Sequence, residues 1–139
     1  MNREYLPHIA AVARAILDFG FRDDRFSLSL YRTFKADYVT KKRGQSYETD
    51  AEFYAEDGSV ELHIEAKRAP LAISRIVKDI NESGTFNDLP LGSKKELEYV
   101  LDVAPRHLWL VAPGSVDPNE YVYALELNGL QARFRRLDG

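Results

Sequence analysis

Residues 47–68 read YETDAEFYAEDGSVELHIEAKR, and the folding of this stretch decides how the rest of the chain is arranged. It consists of two alternating runs on either side of Asp57-Gly58. A two-residue type I′ turn needs positive φ at both central positions, and Asp-Gly is among the pairs that supply it. Such a turn predicts a β-hairpin in which Asp50 faces Glu65 and Glu48 faces Lys67, with Cβ atoms about 4.5–5.5 Å apart. Period-two alternation puts Glu48, Asp50, Glu52, Glu61, His63, Glu65 and Lys67 on one face. Thr49, Ala51, Phe53, Val60, Leu62, Ile64 and Ala66 form the other, a core-facing surface. On the polar face two carboxylates and a lysine converge on a rigid sheet, which suits a divalent metal. Like charges opposed across a ladder destabilise it unless a cation compensates, and Asp50 opposite Glu65 is such a pair.

Upstream, residues 3–19 place Leu6, Ile9, Val12, Ala13, Ile16 and Leu17 at helical spacing, with Gly20 as the stop. Residues 25–35 alternate as a strand, and Ala36 to Ser46 is a polar, basic loop with room to move. Downstream, Pro70 breaks the strand, and residues 71–83 carry Ile73, Ile76, Val77 and Ile80 on one helical face. Thr85 to Gly92 reads as a loop. Ser93 reads as the N-cap of a third helix, with Glu96 completing a capping box. His107 to Ala112 is a continuous apolar run, as expected of a strand buried on both faces. Two last strands, near 120–127 and 130–136, meet at the turn signal Asn128-Gly129. The order α-β-β-β-α-α-β-β-β predicts an α/β fold, a mixed central sheet flanked by helices, in a single domain over residues 1–139.

Composition narrows the function classes. The 139 residues suffice for one real core, and 29% charged residues are ordinary for a globular protein. No apolar run reaches the roughly 18–20 residues of a membrane span, and the N-terminal stretch is interrupted by Arg14 and Asp18. Without cysteine there are neither disulfides nor thiolate metal sites, which fits a cytoplasmic protein. A net charge of −3 argues against a purely electrostatic nucleic-acid binder. The positive charge is nevertheless clustered, at Lys41-Lys42-Arg43 and at Arg133, Arg135 and Arg136.

Asp50 followed by Glu65-Ala66-Lys67 at the end of an apolar strand resembles the D…ExK signature of the PD-(D/E)XK nucleases, among them restriction endonucleases and Holliday-junction resolvases. A preceding helix, a hairpin opposing the acids and a helix-rich segment after the lysine extend the resemblance over residues 3–112. Thr49 stands where many members have proline, and no Gln or Tyr motif of the exonuclease branch follows. The resemblance implies a restriction-endonuclease-like core and Mg²⁺-dependent hydrolysis of phosphodiester bonds in DNA, with Mn²⁺ substituting. It implies that Asp50 and Glu65 hold the metal with the backbone carbonyl of Ala66, and that Lys67 assists the attacking water. Glu4 is a candidate further ligand from the first helix. The small size implies a structure-selective or partner-guided enzyme, working as a homodimer or in a larger nuclease assembly, with no membrane partner.

Around this set, Lys41, Lys42 and Arg43 are candidates for phosphate contact, which positions nucleic acid without reading its sequence. His63 shares the acidic face, Arg68 is placed for a phosphate, and Lys78, Lys94 and Lys95 follow the motif. Trp109 belongs to the core, while Tyr121 and Tyr123 are placed for sheet packing or base stacking. Two other readings stay open. One is a catalytically inactive nuclease fold serving as a nucleic-acid-binding or assembly module. The other is a protein-interaction domain using the acidic hairpin face, whose polar residues would then simply be the wet side of the sheet.

Overall fold

Why LWLVA, residues 108–112, is apolar at every position is answered by its place at the centre of a two-sided core. In the computed structural model, which describes residues 5–83, 86–113, 122–129 and 131–136, this run supplies most of β4 (His107–Val111). Leu108 and Leu110 pack beneath α2 (Pro70–Glu82) and α3 (Leu91–Val103), while Trp109 and Val111 pack towards α1 (Tyr5–Leu17). The described strands make one six-stranded sheet in sequence order: β1 (Phe26–Thr33), β2 (Ser46–Tyr54), β3 (Val60–Ala66), β4, β5 (Val122–Asn128) and β6 (Gln131–Arg136). The β3–β4 pair is parallel and the other four pairs are antiparallel. A parallel neighbour requires a long crossover, and α2 and α3 supply it. The mixed α/β sheet flanked by helices is therefore as expected. Among the described residues no helix is long and apolar enough to cross a membrane.

The hairpin reaches the expected register by an unexpected route. Ala51 pairs with Ile64, Glu52 with His63 and Phe53 with Leu62, as the two-residue turn requires. The turn itself has three loop residues, Glu56, Asp57 and Gly58. Ala55 N–H donates to the Ser59 carbonyl at 2.8 Å, and Gly58 N–H donates back to Ala55 at 3.0 Å. Gly58 alone in this turn takes positive φ, at 86°. Asp57 instead accepts the Ser59 backbone and hydroxyl hydrogen bonds. Tyr54 then pairs with Val60, and a β-bulge at Glu61 restores the register from Phe53 onward. The bulge also moves Val60 off the predicted Leu62–Ile64–Ala66 face. Val60 joins Phe34, Tyr47 and Val103 in a separate core cluster instead.

Four other expectations need correction. Among the described side chains of α1, Ala11, Val12 and Ala15 are buried and Ile16 is half-buried, whereas Ala13 is exposed and Leu17 is 81% exposed; those of Leu6 and Ile9 lie outside the described ones. α3 starts at Leu91 with Pro90 before it, so Ser93 is not the cap. Ser93 donates its hydroxyl to Asp79 Oδ2 at 2.8 Å and ties α3 to α2. Glu96 is therefore not part of a capping box. In the last hairpin Asn128 pairs with Gln131, which places Gly129 (φ 62°) as the first loop residue.

The fourth correction concerns the basic loop, which is anchored rather than loose. Glu98, fully buried in α3, accepts the backbone N–H groups of Thr40 and Lys41 at 3.0 and 2.9 Å, and the Thr40 hydroxyl. One turn on, Asp102 accepts Lys35 N–H at 2.9 Å, Tyr38 OH at 3.0 Å and Tyr47 OH at 2.5 Å. A buried carboxylate must be hydrogen-bonded or paired to be tolerated, and these two spend their acceptor capacity on the loop and on Tyr47.

Candidate active site

Glu65 is in register with Leu110 of β4, and Leu110 lies in the core beneath α2 and α3. Alternation along β3 therefore aims His63, Glu65 and Lys67 at the same helical layer. Lys67 continues the parallel pairing one residue past the strand, its N–H donating to the Val111 carbonyl at 2.7 Å. Asp50 reaches the same end from β2, where Oδ2 accepts Ala66 N–H at 2.8 Å. Asp50, Glu65, Ala66 and Lys67 thus meet at the carboxyl end of the parallel pair. In open α/β sheets that is the usual place for a ligand crevice. Glu4 and Tyr121 lie outside the described residues.

Lys67 does not pair with Glu48, which is exposed on β2 opposite Tyr31. Its ammonium donates to Glu96 Oε2 at 2.8 Å and sits 3.6 Å from Glu65 Oε2. The acidic face is consequently not uniformly the wet side of the sheet: α3 meets it at Lys67, Glu52 and His63 are buried and Glu96 is only 2% exposed, whereas Glu48 is exposed. Burial pushes the Glu96 carboxyl up to about 8, and the neighbouring Glu65 charge adds to the rise while Lys67 opposes it. Burial on its own would lower Lys67, yet the charges of Glu65 and Glu96 hold it above the usual lysine range. Lys67 is therefore an ammonium donor in this setting.

Two carboxylate oxygens in this cluster, Glu65 Oε2 and Glu96 Oε1, are buried without a hydrogen-bond partner among the described residues. Among the described residues no group of three or more His, Asp or Glu side chains is disposed to hold a metal ion. Mg²⁺ does not require one, since it keeps several waters and uses one or two carboxylates. Hard oxygen donors at Asp50 and Glu65, with an unsatisfied buried oxygen on Glu65, fit such an ion. The Ala66 carbonyl lies between them in sequence.

The rest of the polar face is structural. Arg32 Nε donates to Glu52 Oε1 at 2.8 Å and its Nη2 to Oε2, while His63 Nδ1 lies 3.6 Å from Glu52 Oε1. Burial would raise the Glu52 carboxyl, but His63 and Arg32 together bring it down to about 2. His63, only 2% exposed, is a buried neighbour of this acid and is closed to substrate. Lys41 is half-buried while Lys42 and Arg43 are exposed. Lys42 Nζ donates to the Tyr38 carbonyl at 3.2 Å and Arg43 N–H to Asp37 at 3.0 Å. Lys78 and Lys95 are exposed, and Lys94 lies over the Phe86 ring at 5.9 Å. Tyr123 and Trp109 are core residues, which removes Tyr123 from base stacking. A cleft of about 250 Å³, lined by Ile80, Phe86, Leu97, Glu126, Arg133 and their neighbours, shares no residue with the Asp50–Lys67 cluster.

Glu96 is the residue of this cluster that the hairpin pattern does not reveal. Its signal lies in α3 itself, where Glu96, Glu98 and Asp102 interleave with Leu97, Val100, Leu101 and Val103. A helix apolar on nearly every side is buried on nearly every side, so its acids must each find a partner. No family model, curated protein or solved structure matches the chain.

Proposed function

We propose that this protein is a divalent-metal-dependent endonuclease of the PD-(D/E)XK type that hydrolyses phosphodiester bonds in DNA. The observation that carries the proposal is the end of β3, where Asp50 accepts Ala66 N–H beside the Glu65–Lys67 pair, with a buried Glu65 oxygen lacking a hydrogen-bond partner among the described residues. Asp50 and Glu65, with the Ala66 carbonyl, would hold Mg²⁺ or Mn²⁺. When bound, the ion lowers the pKa of a coordinated water and neutralises charge on the phosphate. Lys67, charged and anchored, donates a hydrogen bond to the attacking water or to the phosphate oxygen on which charge develops. Lys41, Lys42 and Arg43, on a loop pinned to α3, supply phosphate contacts that position the duplex.

The test is cleavage of labelled supercoiled, single-stranded and four-way-branched DNA, and of RNA, with Mg²⁺ or Mn²⁺. Asp50→Asn and Lys67→Met should each lose about 10²-fold or more in rate, the usual loss when one charge-stabilising group is removed. Cutting of equal rate in both variants would end the proposal. The pinned basic loop also supports a second reading, in which the fold binds nucleic acid without cutting it. DNA binding that is intact in Asp50→Asn, with no cleavage by the wild type, would favour that alternative.

A further inference from the structure

Two acids flank the Lys67 ammonium, and they differ in ways that separate their tasks. Glu96 makes the shorter contact, 2.8 Å against 3.6 Å for Glu65, and is the more buried, its side chain 2% exposed against 16%. Glu96 stands on α3, which is locked to the 35–41 segment by Glu98 and Asp102 and to α2 by Ser93. Glu65 stands at the open end of β3 beside Asp50. Burying a second carboxylate against Glu65 is costly in a purely structural role, because like charges in a shared site disfavour ionisation of both.

We propose that Glu96 is the positioning residue of the site. It holds the Lys67 ammonium from the protein side, so that Glu65 and Asp50 remain available to an incoming divalent cation. The assignment of a task to the lysine rests on the nuclease proposal above; the anchoring itself does not. Glu96 touches neither metal nor substrate and acts through Lys67.

The experiment has two parts. First, ¹H–¹⁵N spectra of the lysine ammonium groups are recorded for the wild type, Glu96→Gln and Glu96→Ala, each titrated with Mg²⁺. An anchored ammonium exchanges slowly enough to be seen. The Lys67 signal, assigned by its loss in Lys67→Met, should be present in the wild type, persist when Mg²⁺ saturates, weaken in Glu96→Gln and vanish in Glu96→Ala. Its absence from the wild type, or its disappearance on adding Mg²⁺, would overturn the proposal. Second, on whichever DNA the wild type cuts, Glu96→Ala should lower kcat by about 10²-fold, the scale expected when a reacting group is misplaced. The KM for DNA and the Mg²⁺ dependence should stay unchanged, and Glu96→Gln, which keeps an acceptor for the amine, should recover part of the rate. Unchanged kcat in Glu96→Ala, or a loss confined to Mg²⁺ affinity, would overturn the positioning role. If the wild type cuts nothing, the nuclease proposal fails, and the spectra alone then decide whether Glu96 anchors the lysine. Circular dichroism of each variant separates these results from a failure to fold.

Discussion

Glu52 and Glu96 are both sealed from water, yet Glu52 ionises more readily than a free glutamate because His63 and Arg32 lie against it, and Glu96 far less because burial and the Glu65 charge outweigh Lys67. The consequences for stability run in opposite directions. For Glu52 the folded value of about 2 lies below the ordinary 4.5. Its stabilisation is therefore complete above 4.5 and is lost as the pH falls from there towards 2. For Glu96, at about 8, the folded protein keeps a proton that the unfolded chain has released. Stability therefore drains away as the pH rises from 4.5 to about 8. Melting temperatures across the acid and neutral range should accordingly show an acid limb that Glu52→Gln removes and a neutral slope that Glu96→Gln flattens. Glu52→Gln should in addition cost about 3 kcal/mol at neutral pH, since Arg32 is left with an uncompensated, largely buried charge. An acid limb unchanged in Glu52→Gln would show that Arg32 and His63 do not govern this carboxylate.

At the scale of elements, α3 works as a clamp with acids on different sides. Glu98 and Asp102 grip the segment from Lys35 to Lys41 and the start of β2, and Glu96 grips the end of β3. Glu98→Ala should release the Thr40 and Lys41 amides, raising their hydrogen exchange while leaving the β2–β3 hairpin protected. It should cost about 3 kcal/mol in urea unfolding, the scale for lost hydrogen bonds to a charged group. Exchange spread evenly over the whole chain would mean that the clamp is not local. Much at this scale is legible from the sequence. The order of helices and strands, the two-sided burial of β4 and the shared face of Glu65 and Lys67 follow from periodicity, while turn chemistry locates the hairpin but not its three-residue loop or the bulge that offsets it. What escapes is long-range. Glu96 sits where a capping residue would sit if Ser93 began the helix, and only tertiary packing reveals that the helix starts earlier and turns Glu96 towards Lys67. The same holds for the basic loop, whose composition is that of a mobile segment and whose anchors are acids far along the chain. The buried side of α1 escaped for a milder reason: among its described side chains the small Ala11 and Ala15 are fully buried while Leu17 is exposed, so size did not mark the buried positions.

For the whole molecule, a cation held at Asp50 and Glu65 would bind the folded chain and not the unfolded one. Mg²⁺ or Mn²⁺ at about 100 times its Kd should then stabilise the wild type by about 2.7 kcal/mol. Asp50→Asn should show no such gain in a thermal melt, and equal gains in both would place the ion elsewhere. Every contact in this site depends on which way β3 faces, and that in turn depends on the bulge at Glu61. The bulge means that the hairpin carries one spare residue between its turn and Leu62. Deleting Glu61 would leave Phe53–Leu62, Glu52–His63 and Ala51–Ile64 paired as they are, because Glu61 has no register partner on β2, and would cost only its ion pair with Arg106. A deletion of one residue between Leu62 and Lys67 has no such reserve and would turn the Glu65–Lys67 end over towards α1. The chain is thus forgiving of length changes on one side of Leu62 and intolerant of them on the other. Related chains that keep this chemistry should vary in length near the turn and hold a fixed spacing from Leu62 to Lys67.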